Sequence, residues 1–458
     1  WVFVKYRTNA AGPWLHAQLN NTGHVPAAGS QIDNGLLDPS APFDAITNPV
    51  VGVFIHRDAD GNGNLNLPGT QLSWNYGALG LAFNDIAEVQ VFAIEMVYVN
   101  QGAFAVGSGG TESLAFTLTT INMANATTAP SGTGSLGGQA GGYPTGQTAP
   151  SSASWPNGFR AFYCMKYEVT QQGYVDFLNT LTYTQQVTRT ATAPNSAAGT
   201  NALYNGSPLY RDGTYIQTAG VASTTPAVYA CNLNGNGVYG EATDGTDLAC
   251  NLLSWGDLTA YLDWSGLRPM TELEFEKACR GTIAPVANEY PWGTTTIAGS
   301  EYTLANSGAN NEGITANYST TAGNVAYSAT TPFIGGIIGP LRVGIFAANG
   351  SNSGRVTAGA SYYGIMELGG NLHERSVTIG NTNGRSYAGN HGNGTLAANG
   401  DPDGSTWPSP GTAIGSGFRG GGWPSAAAAL RVSERGTATS TSNSRNYDAG
   451  GRGVRSVP

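Results

Sequence analysis

The sequence is short of charge. Only 11% of its 458 residues are Asp, Glu, Lys or Arg, against roughly 25% in an average globular chain, and its only lysines are Lys5, Lys166 and Lys277. With 29 acidic and 20 basic residues the net charge is -9. No basic stripe exists for phosphate backbones, so nucleic acid is excluded as a partner. Apolar runs are short as well, the longest lying near VFAIEMVYV at 91–99, and a membrane span needs about 18 residues. Histidine is scarce and scattered: His16, His24, His56, His373 and His391 form no His-x-x-x-His or His-Glu-x-x-His pair for iron. A G-x-S-x-G elbow is missing, and no Walker lysine follows a glycine loop. Two G-x-G-x-x-G strings (Gly132, Gly134, Gly137; Gly235, Gly237, Gly240) sit in no strand-to-helix turn, so no nucleotide is expected. An initiator methionine and a signal peptide are lacking too, because WVFVKYRT reads as a strand from Trp1; a segment upstream is expected.

What the chain has in quantity is glycine, 66 residues, and aromatics, 10%. That aromatic content excludes disorder and supplies a real core. Four cysteines without metal-ligand spacing, in a Gly/Asn/Thr/Ser-rich chain, predict a secreted, extracellular or cell-surface protein. Cys231 and Cys250 bracket a polar, glycine-rich loop of the kind a disulfide staples; four buried free thiols are the alternative.

Length predicts more than one domain. Residues 1–91 alternate apolar and polar in short runs (WVFVKYR, WLHAQL, VVGVFIH, TQLSWNY, DIAEVQVFAIEMVYV) with Asn-Gly and Asp-Gly punctuation, which predicts an all-β sandwich. Residues 92–458 read as α+β, with few helices and many loops. Within them, 124–154 is a low-complexity Gly/Ser/Thr linker or surface loop; holding it in place would require contacts from its own domain or from neighbouring molecules. Helices are expected after Thr170, with the stripe Tyr174, Phe177, Leu178, Leu181; after Ser254, with Trp255, Leu258, Leu262; and after Thr271, whose capping box with Glu274 opens a helix ending at Gly281.

The ordered blocks EMVYVNQGAFAVG (95–107), FYCMKYEVTQQGYVDFLN (162–179), LSWGDLTAYLDWSGLRPMTELEFEKACRG (253–281), YPWG (290–293), YYGIMELGGNLHE (362–374), FRGGGW (418–423) and a closing Arg-rich run resemble the formylglycine-generating-enzyme-like domain family. The resemblance covers roughly 94–458 and implies a variant C-type lectin fold. Enzymes of that family hold copper on two cysteines just after the R-G-G-x-W/Y strand and use dioxygen to oxidise a substrate cysteine. Here the segment reads GGGWPSAAAALRVSER, with Ser425 and an alanine-leucine stretch where soft thiolates are needed for Cu(I). Neither copper nor the oxidase chemistry is therefore expected.

The same resemblance implies structural calcium. GIMELGGNLHE matches the G-N-x-W-E block, giving carboxylates from Glu367 and Glu374 and carbonyls from Gly370 and Leu372. His373 stands where the family has tryptophan, and Glu367 where some members have asparagine; a glutamate paired to a C-terminal arginine is the alternative. A weaker calcium candidate is the string Asp58, Asp60, Asn62, Asn64, whose alternate oxygens equally suit a turn. Family enzymes bond a cysteine equivalent to Cys279 to the position of Val432, which leaves Cys164 as the possible partner of Cys279.

In the closing segment a scaffold of arginines alternates with small residues. It resembles diversity-generating retroelement targets of the same fold, with Trp423, Ser425, Ala426, Ala428, Gly436, Thr437, Ser440, Asn443, Tyr447 and Asp448 as the candidate binding face. The leading expectation is a non-catalytic structural protein that self-assembles into a fibre or layer through its lectin-like domain, helped by a sheet edge at Trp1 that a neighbour could cover. The alternatives are a diversified display protein for a protein or glycan ligand, and an enzyme of unrecognised chemistry.

Overall fold

The computed structural model describes residues 1–457 except 11, 62, 125–149, 208 and 333–335. The expectations for Asn62, for Gly132, Gly134 and Gly137, and for most of the low-complexity stretch lie outside the described residues.

Alternation of Val, Phe, Lys and Tyr makes Val2–Arg7 a strand buried on both faces, β1. It forms one antiparallel sheet with β2 (Leu15–His16), β3 (Ser30–Leu36), β4 (Val50–Arg57) and β5 (Glu88–Ala93). Val2 pairs Val53 on one side and Ala93 on the other, so β1 is central, while β5 runs along its whole length to form an edge. The strand runs predict two stacked sheets, but the described residues of this N-terminal stretch form one. Its second layer comes from elsewhere. On one face Phe3 and Phe92 pack edge-on against Trp264, with ring centroids at 4.9 and 4.8 Å. On the other, Val4, Tyr6, Ala17, Leu19, Val50 and Val53 are closed over by Leu72, Trp74, Leu79 and Leu81. The run TQLSWNY supplies isolated bridges, Gln71 to Val25 and Trp74 to Leu19, rather than a strand.

Trp1 is likewise no open edge. Only 5% exposed, it donates from its indole Nε1 to the Ser265 carbonyl at 2.7 Å and lies under the Arg455 guanidinium. Lys5 is buried at the same junction and donates to the carbonyls of Trp264 and Gly394, at 2.7 and 2.6 Å. An ammonium placed among carbonyls and rings in this way is strongly desolvated, which drives its pKa well down.

The chain continues through β6 (Met96–Val99), β7 (Phe104–Val106), β8 (Thr119–Ile121) and β9 (Phe162–Met165). Two helices follow, α1 (Gln171–Leu178) and α2 (Tyr183–Arg189). Next come β10 (Thr214–Thr218), β11 (Val228–Cys231), α3 (Trp255–Trp264), β12 (Arg268–Pro269) and α4 (Glu272–Arg280). The remainder is β13 (Thr303–Ala305), β14 (Gly313–Ala316), β15 (His373–Val377), α5 (Thr382–Arg385), β16 (Ser416–Arg419), β17 (Ala449–Gly450) and β18 (Gly453–Ser456). Mostly β with few helices, this part is organised by two small sheets, β12-β18-β9-β6 and β16-β15-β17. The caps fall as the sequence predicts: Thr170, Ser254 and Thr271 each accept from a backbone amide of the first turn, and Gly281 ends α4.

All four cysteines are buried free thiols in this structure. Cys231 and Cys250 share one core cluster, Cys164 and Cys279 another, so the two expected pairings stay within separate cores without being bonded. Burial pushes the Cys164 thiol up to about 12, which makes it inert as a nucleophile or soft ligand.

Because Trp1 joins the sheet to the rest of the chain, Trp1→Ala is expected to cost about 3–5 kcal/mol. Urea unfolding should show this as a lower midpoint at unchanged slope; an unchanged midpoint would mean that the junction contributes nothing.

Candidate functional site

The C-terminal segment has little regular structure, and buried charge holds it. On α4, Glu272 and Glu276 stand four residues apart and face inward. Glu272 accepts from Arg435 Nε and Nη2 at 2.7 and 2.9 Å and from Arg419 Nη1 at 3.1 Å. Glu276 accepts from Arg419 Nη2 at 3.0 Å and Arg280 Nη1 at 3.2 Å. Burial pushes the Glu272 carboxyl up, but Arg435 and Arg419 outweigh it and hold it below its ordinary value. Arg445 adds a two-pronged pair with Asp257, both contacts 2.8 Å.

On this scaffold the expected binding face is largely at the surface. Ala426, Ala428, Gly436, Thr437 and Tyr447 are exposed, and Ser425, Ser440, Asn443 and Asp448 half-buried. Trp423 is the exception and a correction: it is fully buried, its amide donating to the Asn371 carbonyl at 2.7 Å, its ring beneath Tyr447, which stacks on Tyr210 at 4.5 Å. The turn into it needs left-handed backbone at Gly420, where a Cβ would lie 2.4 Å from the Leu368 carbonyl.

The fold also brings together three residues that sequence reasoning did not join. Ser425 Oγ lies 3.4 Å from His373 Nε2, and Asp448 Oδ2 lies 3.6 Å from the same nitrogen. A hydrolytic triad needs the carboxylate on the other ring nitrogen, so that it orients the base toward the hydroxyl. Here serine and carboxylate meet one nitrogen, which differs from that arrangement. Burial lowers the His373 pKa against the pull of Asp448, so the ring is a neutral hydrogen-bonding group at pH 7.

Beside the face opens a cleft of about 570 Å³ lined by Arg189, Tyr204, Ser254, Asp401, Asn443 and Arg445. Arg189 is almost fully buried there, paired to Asp401 at 2.7 Å, with no hydrogen-bond partner on its Nε among the described residues.

The proposed calcium residues lie around a turn in which Glu367 and Asn371 take left-handed backbone. Glu374 meets the alternative considered for it: its Oε1 accepts from Arg452 Nε at 2.5 Å. Glu367 Oε1 accepts from the Gly344 amide at 2.9 Å. The Oε2 atoms of both glutamates are buried without hydrogen-bond partners among the described residues, which suits a hard cation. Glu168, missed in the sequence, joins them; its oxygens accept from Asn371 Nδ2 at 2.6 Å and the Leu372 amide at 2.9 Å. Burial, then Glu374, push its pKa well up. Among the described residues no group of three or more acidic, His or Cys side chains has metal-holding geometry, so a cation here would rest on Glu367, Glu374 and main-chain oxygens. Copper does not fit the C-terminal segment, where Ser425 offers a hydroxyl and the thiols lie in the cores. The second calcium string leaves Asp58, Asp60 and Asn64 on an exposed loop.

The family model of the sulfatase-modifying factor enzyme 1-like domain matches residues 83–457. Among solved structures, PvdO from Pseudomonas aeruginosa is 17% identical with a TM-score of 0.37, over 80% of this chain and 95% of that one. Treponema denticola variable protein 1 is 12% identical, with a TM-score of 0.31 over 82% and 98%, and CarF 13% identical, with 0.33 over 80% and 99%. No curated protein matches the sequence.

The carboxylate cluster generates a pH test. Burial pushes Glu367 up from 4.5 to about 7. The folded state thus holds this proton more tightly than the unfolded state, so the group's contribution is full below about pH 4.5 and is lost as pH rises through 7. Glu367→Gln should therefore melt higher relative to wild type at pH 8 than at pH 5. Calcium should raise the melting temperature of wild type at pH 8 and leave the variant unmoved; no calcium effect on wild type would leave Arg452 as the balancing charge.

Proposed function

Since the chain belongs to the sulfatase-modifying factor enzyme 1-like domain family, we propose that it is a non-catalytic member of it, a secreted or cell-surface structural protein that works by binding, first to copies of itself. The observation that carries this reading is the chemistry of the segment after Gly422: Ser425 and alanines stand where the family's oxidases need thiolates, while the chain's own thiols are buried far up their titration range. The Ser425, His373 and Asp448 arrangement supports it, since one shared ring nitrogen gives binding groups and no activated hydroxyl. A low-charge, lysine-poor surface supports assembly into a fibre or layer, because little like-charge repulsion opposes contact between copies. Calcium at Glu367 and Glu374 is the structural cofactor of this reading.

A second reading, capture of a protein or glycan ligand at the C-terminal face, is favoured by one specific feature. Small exposed residues (Ala426, Ala428, Gly436, Thr437) sit on a scaffold fixed by buried arginines, next to the cleft that Asn443 lines. Such a face tolerates exchange of its residues without loss of the fold.

Two measurements test the proposal. Incubated with copper, dioxygen and a sulfatase-type cysteine peptide, the protein should give no formylglycine above a metal-free blank; turnover would end the non-catalytic reading. Light scattering should give a particle mass above that of one chain; a monomer at all concentrations would end the self-assembly reading and leave ligand capture.

A further inference from the structure

We infer that the outer edge of β5 is the surface on which a second copy of this chain docks, strand against strand about a two-fold axis through Val91. The inference deepens the self-assembly reading and rests on it.

β5 pairs with β1 over all six residues without a register break. Among the described residues nothing pairs its other side. Trp1 and Ile94 exchange both backbone hydrogen bonds, 2.9 and 2.8 Å, so by the alternation of an antiparallel ladder Phe92, Gln90 and Glu88 also turn their amides and carbonyls toward β1. Val89, Val91 and Ala93 turn theirs outward. The same residues carry exposed apolar side chains, Val89 at 49% and Val91 at 63%, continued by Phe83 and Ile86 at 86% and 87% in the loop before the strand.

Edge strands of soluble proteins are commonly guarded by charge, proline, bulges or shortness. At the far side of the sheet β3 has such guards, Asp33 on the strand and a register break at Gly35 and Leu36. β2 is two residues long. β5 has none: its one charge, Glu88, lies at its start and is neutralised by Arg7 at 2.6 Å.

A neutral β-branched strand is its own complement. A two-fold axis normal to the sheet brings opposite one another only residues on the same face. Centred on Val91, it sets Val91 against Val91 of the second copy and Val89 against Ala93. These are the residues with outward backbone groups, so each pair exchanges two hydrogen bonds, roughly six in all. Glu88 lies beyond this overlap, so no like charges oppose each other, and the valines of the two copies meet on one face.

The test uses the full chain. Val91→Pro removes an outward amide that bonds nothing among the described residues, and edge strands tolerate proline there; Val91→Lys keeps the amide and adds a charge. Both should melt as wild type does and require at least tenfold higher concentration to reach the same mass in light scattering. Val91→Cys should give a covalent dimer on mild oxidation, because opposed residues in such a ladder lie within disulfide reach, whereas Ile46→Cys, on an exposed loop, should not. If wild type assembles, the Pro and Lys variants assemble equally, and Val91→Cys forms no dimer, the β5 interface is wrong and self-assembly stands. A wild type that is monomeric throughout sinks both.

Discussion

Six buried side chains, Glu272, Glu276, Glu289, Arg280, Arg419 and Arg435, form the interaction on which the C-terminal half depends. Taking this many charges out of water is unfavourable unless nearly every donor and acceptor finds a partner. Here α4 supplies Glu272 and Glu276 at helical spacing together with Arg280, while Arg419 arrives from β16 and Glu289 and Arg435 from segments outside helices and strands. Ser433 and the Gly107 amide complete Glu276 at 3.1 and 2.8 Å, tying in β7. The network thus substitutes for backbone ladders: it fixes loops that pack little apolar surface and leaves small residues between them free at the surface.

The N-terminal sheet illustrates the same economy of layers. It is too small to bury both faces against itself, and it lends one of them to α3. Trp264 receives Phe3 and Phe92, and its carbonyl receives Lys5. One hydrophobic cluster therefore runs from Trp1 and Phe54 through α1 and α3 to Val377. The sheet and the family domain share this one packed core.

Chemistry at the face follows from what lies beneath it. Arg375, buried and spent on the carbonyls of Leu253, Ser442 and Ser444, holds the backbone that carries Asn443 and Tyr447. His373 is kept neutral by burial, and Ser425 is held by the Gly422 amide at 3.0 Å. These groups position hydrogen-bond donors and acceptors at the face.

Local signals in the sequence determined local structure. Thr170, Ser254 and Thr271 read as caps because a cap depends on a residue and the amides two or three positions on, and the blocks from 94 onward gave the family. Thr182 and Gln185 form a capping box of the same kind, but α2 is too short to show an apolar stripe in the sequence. What only the tertiary structure decided depends on partners distant in sequence. A strand's alternation says that one face is covered but not by what, so one sheet backed by α3 reads like a sandwich. Glu168 looks like any glutamate until the fold sets it beside Glu367 and Glu374, and Trp423, expected with the binding face, lies buried against Tyr447. Whether a carboxylate meets an arginine 78 residues away, as Glu374 meets Arg452, is settled by the packing of the whole chain, because burial makes an unpaired charge too costly to leave alone.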